Sequence, residues 1–240
     1  MKASIEPPSR EDRWLFVSRF ARWAGVVTVL GCVILVMWID LPLTGWLHAI
    51  NADRQAWMLK LLSIPVGLST LMGVYLIVHI LLYPWLDRYS ATRRGFYLSI
   101  GLMVALAAKT MLKIAFGRTW PRLVIDPSPG ASIAKCDAPS WGYLNDGIHM
   151  FMPFAGSSKA YAAFPSGSTA LLLAFVVPFM MWFPKLRVPL GVLSGLVLAT
   201  YVMSNTHFLS DVWAGAYIGM LCGMAAVAAE GSRSKRATFD

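Results

Sequence analysis

Three short polar clusters interrupt a largely apolar chain, and each carries residue types with a defined chemistry. Residues 113–121 read K-I-A-F-G-R-T-W-P, in which Lys113 and Arg118 supply two cations able to hold an anion. Residues 164–169 read F-P-S-G-S-T, where Pro165, Ser166 and Gly167 form a helix-start turn. Gly167 lets a ligand approach the backbone, and helix-start N–H groups with a Ser hydroxyl bind anions. Residues 207–212 read H-F-L-S-D-V. His207 and Asp211 are four apart, so on a helix start they share one face. A carboxylate there holds the imidazole in one tautomer and stabilises its charged form. The other ring nitrogen is then free to act as a nucleophile or a base.

The elements that position these clusters are membrane spans. Of the 240 residues, 57% are hydrophobic and 14% charged, whereas a soluble domain carries about 25% charge. Six apolar segments run at about 24–39, 61–82, 95–112, 167–183, 188–206 and 212–229, each close to the roughly 17–25 residues a span needs. The expected fold is an all-α, six-helix membrane bundle forming a single domain. All three polar clusters fall at span ends on one side. A transporter, the alternative class for such a chain, would place its polar groups near the midplane of broken helices.

The net charge of +9 is explained by basic loops on one side of the membrane rather than by a nucleic-acid partner. Arg13, Arg19 and Arg22, then Arg88, Arg93 and Arg94, then Lys185 and Arg187 all fall on the amino-terminal side. That side is therefore expected to be cytoplasmic, with both termini there and the three clusters facing the exterior or periplasm. Three cysteines, Cys32, Cys136 and Cys222, form no close pair, which argues against a disulfide framework or a zinc site. No metal or cofactor is expected, and the oligomeric state is not legible.

Two segments lie outside the spans. Residues 1–23 read as an amphipathic segment leading into the first span, with Ser9 and Asp12 as a capping box after Pro7-Pro8. Residues 122–163 form a long extracytoplasmic loop expected to fold over the clusters. Its Trp141, Tyr143, Phe151 and Phe154 are expected to be partly buried at the interface.

In order and spacing the three clusters resemble the signature motifs of the type 2 phosphatidic acid phosphatase superfamily, in its membrane lipid phosphate phosphatase branch. Those motifs are Lys, six residues, Arg-Pro; then Pro-Ser-Gly-His; then Ser-Arg, five residues, His, three residues, Asp. The resemblance covers roughly 95–229. Lys113, Pro121, Pro165, Ser166, Gly167, His207 and Asp211 fit. Trp120, Ser168 and Tyr201 stand where the motifs have Arg, His and Arg. Arg118 fits the Gly-Arg-x-Arg-Pro version of the first motif.

The resemblance implies that His207 attacks phosphorus to form a phosphohistidine and that Asp211 orients it. It implies that Lys113, Arg118, Ser166 and Gly167 hold the phosphoryl oxygens. The implied partners are the bilayer and a membrane lipid bearing a phosphate or pyrophosphate; the implied place is a bacterial inner membrane. Ser168 is a poor general acid, and losing such an acid costs about 10²–10⁴ in rate. One reading is an enzyme whose leaving group is itself a phosphate, or which takes a replacement acid or clamp from His149, Asp146, Tyr161, Arg122 or Tyr201. The alternative is a site that binds lipid phosphates without turnover.

Overall fold

The computed structural model describes residues 9–52, 56–122, 151–157 and 159–234. Among these, the regular elements are helices: α1 (Arg10–Ile34), α2 (Asp40–Ala49), α3 (Ala56–Leu81), α4 (Tyr83–Leu86), α5 (Ser90–Phe116), α6 (Gly167–Trp182), α7 (Arg187–Met203) and α8 (Leu209–Ser234). The chain is an all-α polytopic membrane protein. Five helical stretches are long and apolar enough to cross a bilayer, and α6 is a shorter apolar helix. Each of the six expected spans lies on one of these helices, but most of the helices run past the apolar run that marks them. The backbone must satisfy its own hydrogen bonds as it leaves the hydrocarbon, so the helix continues through the interface.

The capping box forms at the start of α1. Ser9 Oγ accepts the Asp12 N–H at 3.2 Å, and Asp12 Oδ2 accepts the Ser9 N–H at 3.0 Å. The basic residues 10–22 make the first turns of α1 itself, which runs without a break into the first span. A single π-helical stretch, Leu35–Ile39, then joins α1 to α2. Insertions of this kind re-aim the residues that follow, and the first residue after it is Asp40.

Helix α8 is the centre of the bundle, against α6, α5 and α1. Gly215, Gly219 and Gly223 lie one turn apart on its α6 face. A Cβ at Gly215 would collide with the Ser166 carbonyl, and one at Gly219 with the Ala170 carbonyl. Small residues at this spacing let two helix backbones touch within a membrane. Leu98, Leu102, Ala105, Leu171, Ala174 and Ile218 fill the space between α5, α6 and α8. The outward faces of α1, α3 and α7 expose Val29, Leu30, Leu71, Ile77, Val188 and Leu196, as lipid-facing surfaces do. At the end of the bundle away from the clusters, Arg94 lies over the Trp182 ring and Arg88 over Trp85.

Candidate active site

The three clusters meet at one end of the bundle because α5 ends there while α6 and α8 begin there. Gly117 stops α5 in a left-handed conformation, φ +57°, and a Cβ at that position would strike the Met152 carbonyl. The chain therefore returns directly across the end of α5: the Met152 N–H donates to the Gly117 carbonyl at 2.7 Å, and the Ala163 N–H donates to the Arg118 carbonyl at 3.0 Å. The glycine contact between α6 and α8 brings the second and third clusters together. The Ser166 N–H donates to the Asp211 carbonyl at 3.0 Å.

His207 and Asp211 sit as their spacing implies. His207 Nδ1 lies 3.4 Å from Asp211 Oδ2, an ion-pair distance rather than a tight hydrogen bond. The same Oδ2 accepts the Phe208 N–H at 3.0 Å, which fixes the carboxylate at the start of α8. Burial pulls the His207 pKa below the ordinary imidazole range, and the Asp211 contact opposes part of that shift. The ring is therefore neutral near pH 7, as a nucleophile requires.

Arg118 is fully buried. Its Nη1 donates to Asp211 Oδ1 at 2.6 Å and to Ser210 Oγ at 2.5 Å, and its Nη2 donates to Asp40 Oδ2 at 2.7 Å. The guanidinium is packed between the Phe208 ring, 4.0 Å from its centroid, and the Phe151 ring, at 4.9 Å. The expected phosphate ligand thus stands behind Asp211, engaged by two carboxylates.

Asp40 was not among the sequence candidates. Its Oδ1 accepts the Ser210 N–H at 3.1 Å, and its Oδ2 also accepts the Ser210 hydroxyl. It is a carboxylate at the amino end of α8, where the helix dipole favours negative charge. The signal available in the sequence was one acidic residue closing an apolar run, a position that is costly unless paired.

Lys113 donates to the Ala162 carbonyl and lies 5.2 Å from the Trp120 ring centroid. The same indole also meets His207, with ring centroids 5.0 Å apart. Trp120 thus links the first and third clusters, contacting both Lys113 and His207. Lys109, one turn earlier on α5, also faces the site. A Cβ on Gly167 would come within 3.0 Å of its Nζ, so Gly167 leaves room for that ammonium. Its relation to Lys113 is a helical i, i+4 pair, and that was the missed clue.

Ser166 is buried as the cap of α6, its Oγ accepting the Thr169 hydroxyl at 2.9 Å. Ser168 follows it, half-buried in the first turn. The Ser166 hydroxyl oxygen also accepts the Thr169 N–H at 3.4 Å, capping the helix. Arg122 donates to the Ser204 carbonyl through Nε and Nη2, at 3.2 and 2.9 Å. Tyr201 is completely buried and its hydroxyl meets no partner among the described residues; its carbonyl accepts the His207 N–H at 3.1 Å. Tyr161 is buried beside Trp120. Phe151 is half-buried against Phe164 and Arg118, as expected. Phe154 is not: it projects from a left-handed turn, φ +69°, and is 78% exposed. His149, Asp146, Trp141 and Tyr143 lie outside the described residues.

A family model described as the PAP2 superfamily matches residues 94–234. A lipid A 1-phosphatase of Rhizobium johnstonii is 38% identical over 73 residues, and one of Rhizobium etli is 37% identical over 73 residues. Each match covers 30% of this chain, so the chain spans about three tenths of the length of these relatives, 30% and 31% respectively. No solved structure matches.

Proposed function

Because the chain belongs to the PAP2 superfamily, we propose that it is a membrane lipid phosphatase in which His207 is the nucleophile. The observation that carries this reading is the buried line Asp40–Arg118–Asp211–His207 at the convergent helix ends. With Asp211 beside Nδ1, the Nδ1–H tautomer is favoured and the Nε2 lone pair faces a bound phosphoryl group. Nε2 forms the P–N bond as the P–O bond to the lipid breaks, and the electron pair leaves with that oxygen. The ring then carries positive charge. Two carboxylates against one guanidinium leave one negative charge in the buried line to balance it. Water attacks the phosphorus next, releases phosphate and restores the imidazole.

Lys113 and Lys109, with the backbone of Gly167 at the start of α6, are suited to the phosphoryl oxygens. In this reading Arg118 positions Asp211 rather than clamping substrate. Ser168 supplies no strong acid, so the favoured substrates carry a leaving oxygen that needs little protonation. A lipid pyrophosphate meets that requirement. The relatives' printed name makes lipid A bearing a 1-phosphate the other substrate to try. The basic far end of the bundle supports a cytoplasmic placement of that end and a periplasmic site in a bacterial inner membrane.

The second reading, binding without turnover, rests on Trp120. Its ring packs against both Lys113 and His207, and it stands where the motif has an Arg. Phosphate release by the purified protein from lipid A, phosphatidic acid and a polyprenyl pyrophosphate separates the two. Release that His207→Ala abolishes supports the phosphatase; saturable binding with no release from any of them supports the binder.

A further inference from the structure

An apolar groove of about 670 Å³ opens between α1, α5 and α8. Its walls include Cys32, Val33, Phe116, Phe164, Pro165 and Ala214, and among the described residues no charged residue lines it. Along α1 and the π-helical stretch that follows it, the groove extends from Gly25 to Met37, twelve residue steps or about 18 Å. One leaflet of a bilayer has about 15 Å of hydrocarbon, so the groove has the depth of a single leaflet.

Its upper end adjoins the site. Phe164 and Pro165 line the groove and lead directly into Ser166. Leu112 and Phe116 line it on either side of Lys113 in sequence. The Cys32 thiol lies 3.7 Å from the carbonyl of Ser210, the residue before Asp211. A molecule held at both places must therefore have an anionic head and an apolar tail. Spread over the groove's length, about 670 Å³ is a channel of about 7 Å, wide enough for a hydrocarbon chain.

We propose that this α1–α5–α8 groove receives an acyl chain of an outer-leaflet lipid whose phosphate sits at Lys113 and His207. The proposal rests on the phosphatase reading for the identity of the head group, and on the groove alone for the tail. Specificity is then set partly by α1, a helix outside residues 94–234.

Two measurements test it. In the first, Val33→Trp fills the groove from its exposed α1 wall, and Val27→Trp, on a lipid-facing position that does not line the groove, is the control. The KM for palmitoyl phosphatidic acid should rise at least tenfold relative to that for butanoyl phosphatidic acid in Val33→Trp only. Equal effects on both lipids, or none, overturn the proposal. The second measurement needs no turnover. A palmitoyl phosphatidic acid with a photoactivatable group on its chain should label the groove-lining Cys32, Val33, Ala214 and Ile218. Labelling spread evenly over lipid-facing Val27 and Val74 overturns the proposal, as does crosslinking of this groove to a second copy of the chain. Groove labelling with no phosphate release from any lipid would refute the phosphatase reading while leaving the groove assignment standing.

Discussion

The Asp40 carboxylate lies 2.7 Å from the Arg118 guanidinium, with neither side chain exposed. Asp40 comes from the first membrane-crossing segment and Arg118 from the end of α5, so this ion pair ties the amino-terminal helices to the site. Removing one member of a buried pair leaves the other charge uncompensated, at a cost of about 3–5 kcal/mol. Asp40→Ala and Arg118→Ala should each lower thermal stability in detergent by an amount in that range. Their double variant should be less destabilised than the sum of the two. Additive losses would show that the pair is not coupled.

Arg118→Lys should fail to restore activity. A lysine cannot present two donors in the fork that reaches Asp211 and Asp40 together. Activity within about threefold of wild type would contradict a positioning role that depends on this fork.

The His207 pKa, held below the imidazole range by burial, predicts the sign of the pH response. The acid limb of kcat/KM should lie below about 6.5, the ordinary imidazole value, because His207 stays neutral to lower pH. Stability linked to this group is present above about 6.5 and is lost as pH falls towards the depressed folded value. Asp211 opposes the depression, so Asp211→Asn should move the titration lower still, while cutting turnover by about 10²–10⁴-fold. Isotope-labelled imidazole NMR of the two proteins reads the shift without needing activity. A titration that moves up in Asp211→Asn contradicts the assignment.

Much of this arrangement was legible in the sequence. Apolar runs located the helices, and the i, i+4 spacing paired His207 with Asp211. What was hidden depended on tertiary placement. Asp40 reads as a span boundary until the π-helical stretch and α2 set it against α8. Arg118 reads as a free cation until two carboxylates from distant segments surround it. Lys109 reads as an isolated charge in a span until Gly167 is seen to leave it room. Trp120 could be identified as a departure from the motif, but not as a ring touching both Lys113 and His207.

The contact between α6 and α8 should be intolerant of bulk. Gly219→Leu drives a side chain into the Ala170 carbonyl, and overpacking of this kind costs about 1–3 kcal/mol or more. The variant should lose thermal stability, and activity with it. Gly45→Leu, whose added Cβ meets nothing within 4 Å, should not. Equal stability of the two variants would refute the close packing.

Ser168→His tests the leaving-group argument. The change should raise release from phosphatidic acid by at least tenfold and leave pyrophosphate release within about twofold, since the alkoxide needs the proton more. If the site only binds, Ser168→His alone should restore nothing, and Trp120→Arg would be needed with it to clamp the phosphate. Equal gains on both substrates from the single change would contradict both readings.

The phosphohistidine can be sought directly. Purified protein is mixed with a lipid radiolabelled in its terminal phosphate, quenched in alkali and mapped by mass spectrometry. The account predicts an alkali-stable, acid-labile phosphoryl group on His207 that forms during turnover and is absent from His207→Ala. Phosphate release that persists in His207→Ala, or label found on another residue, would contradict it.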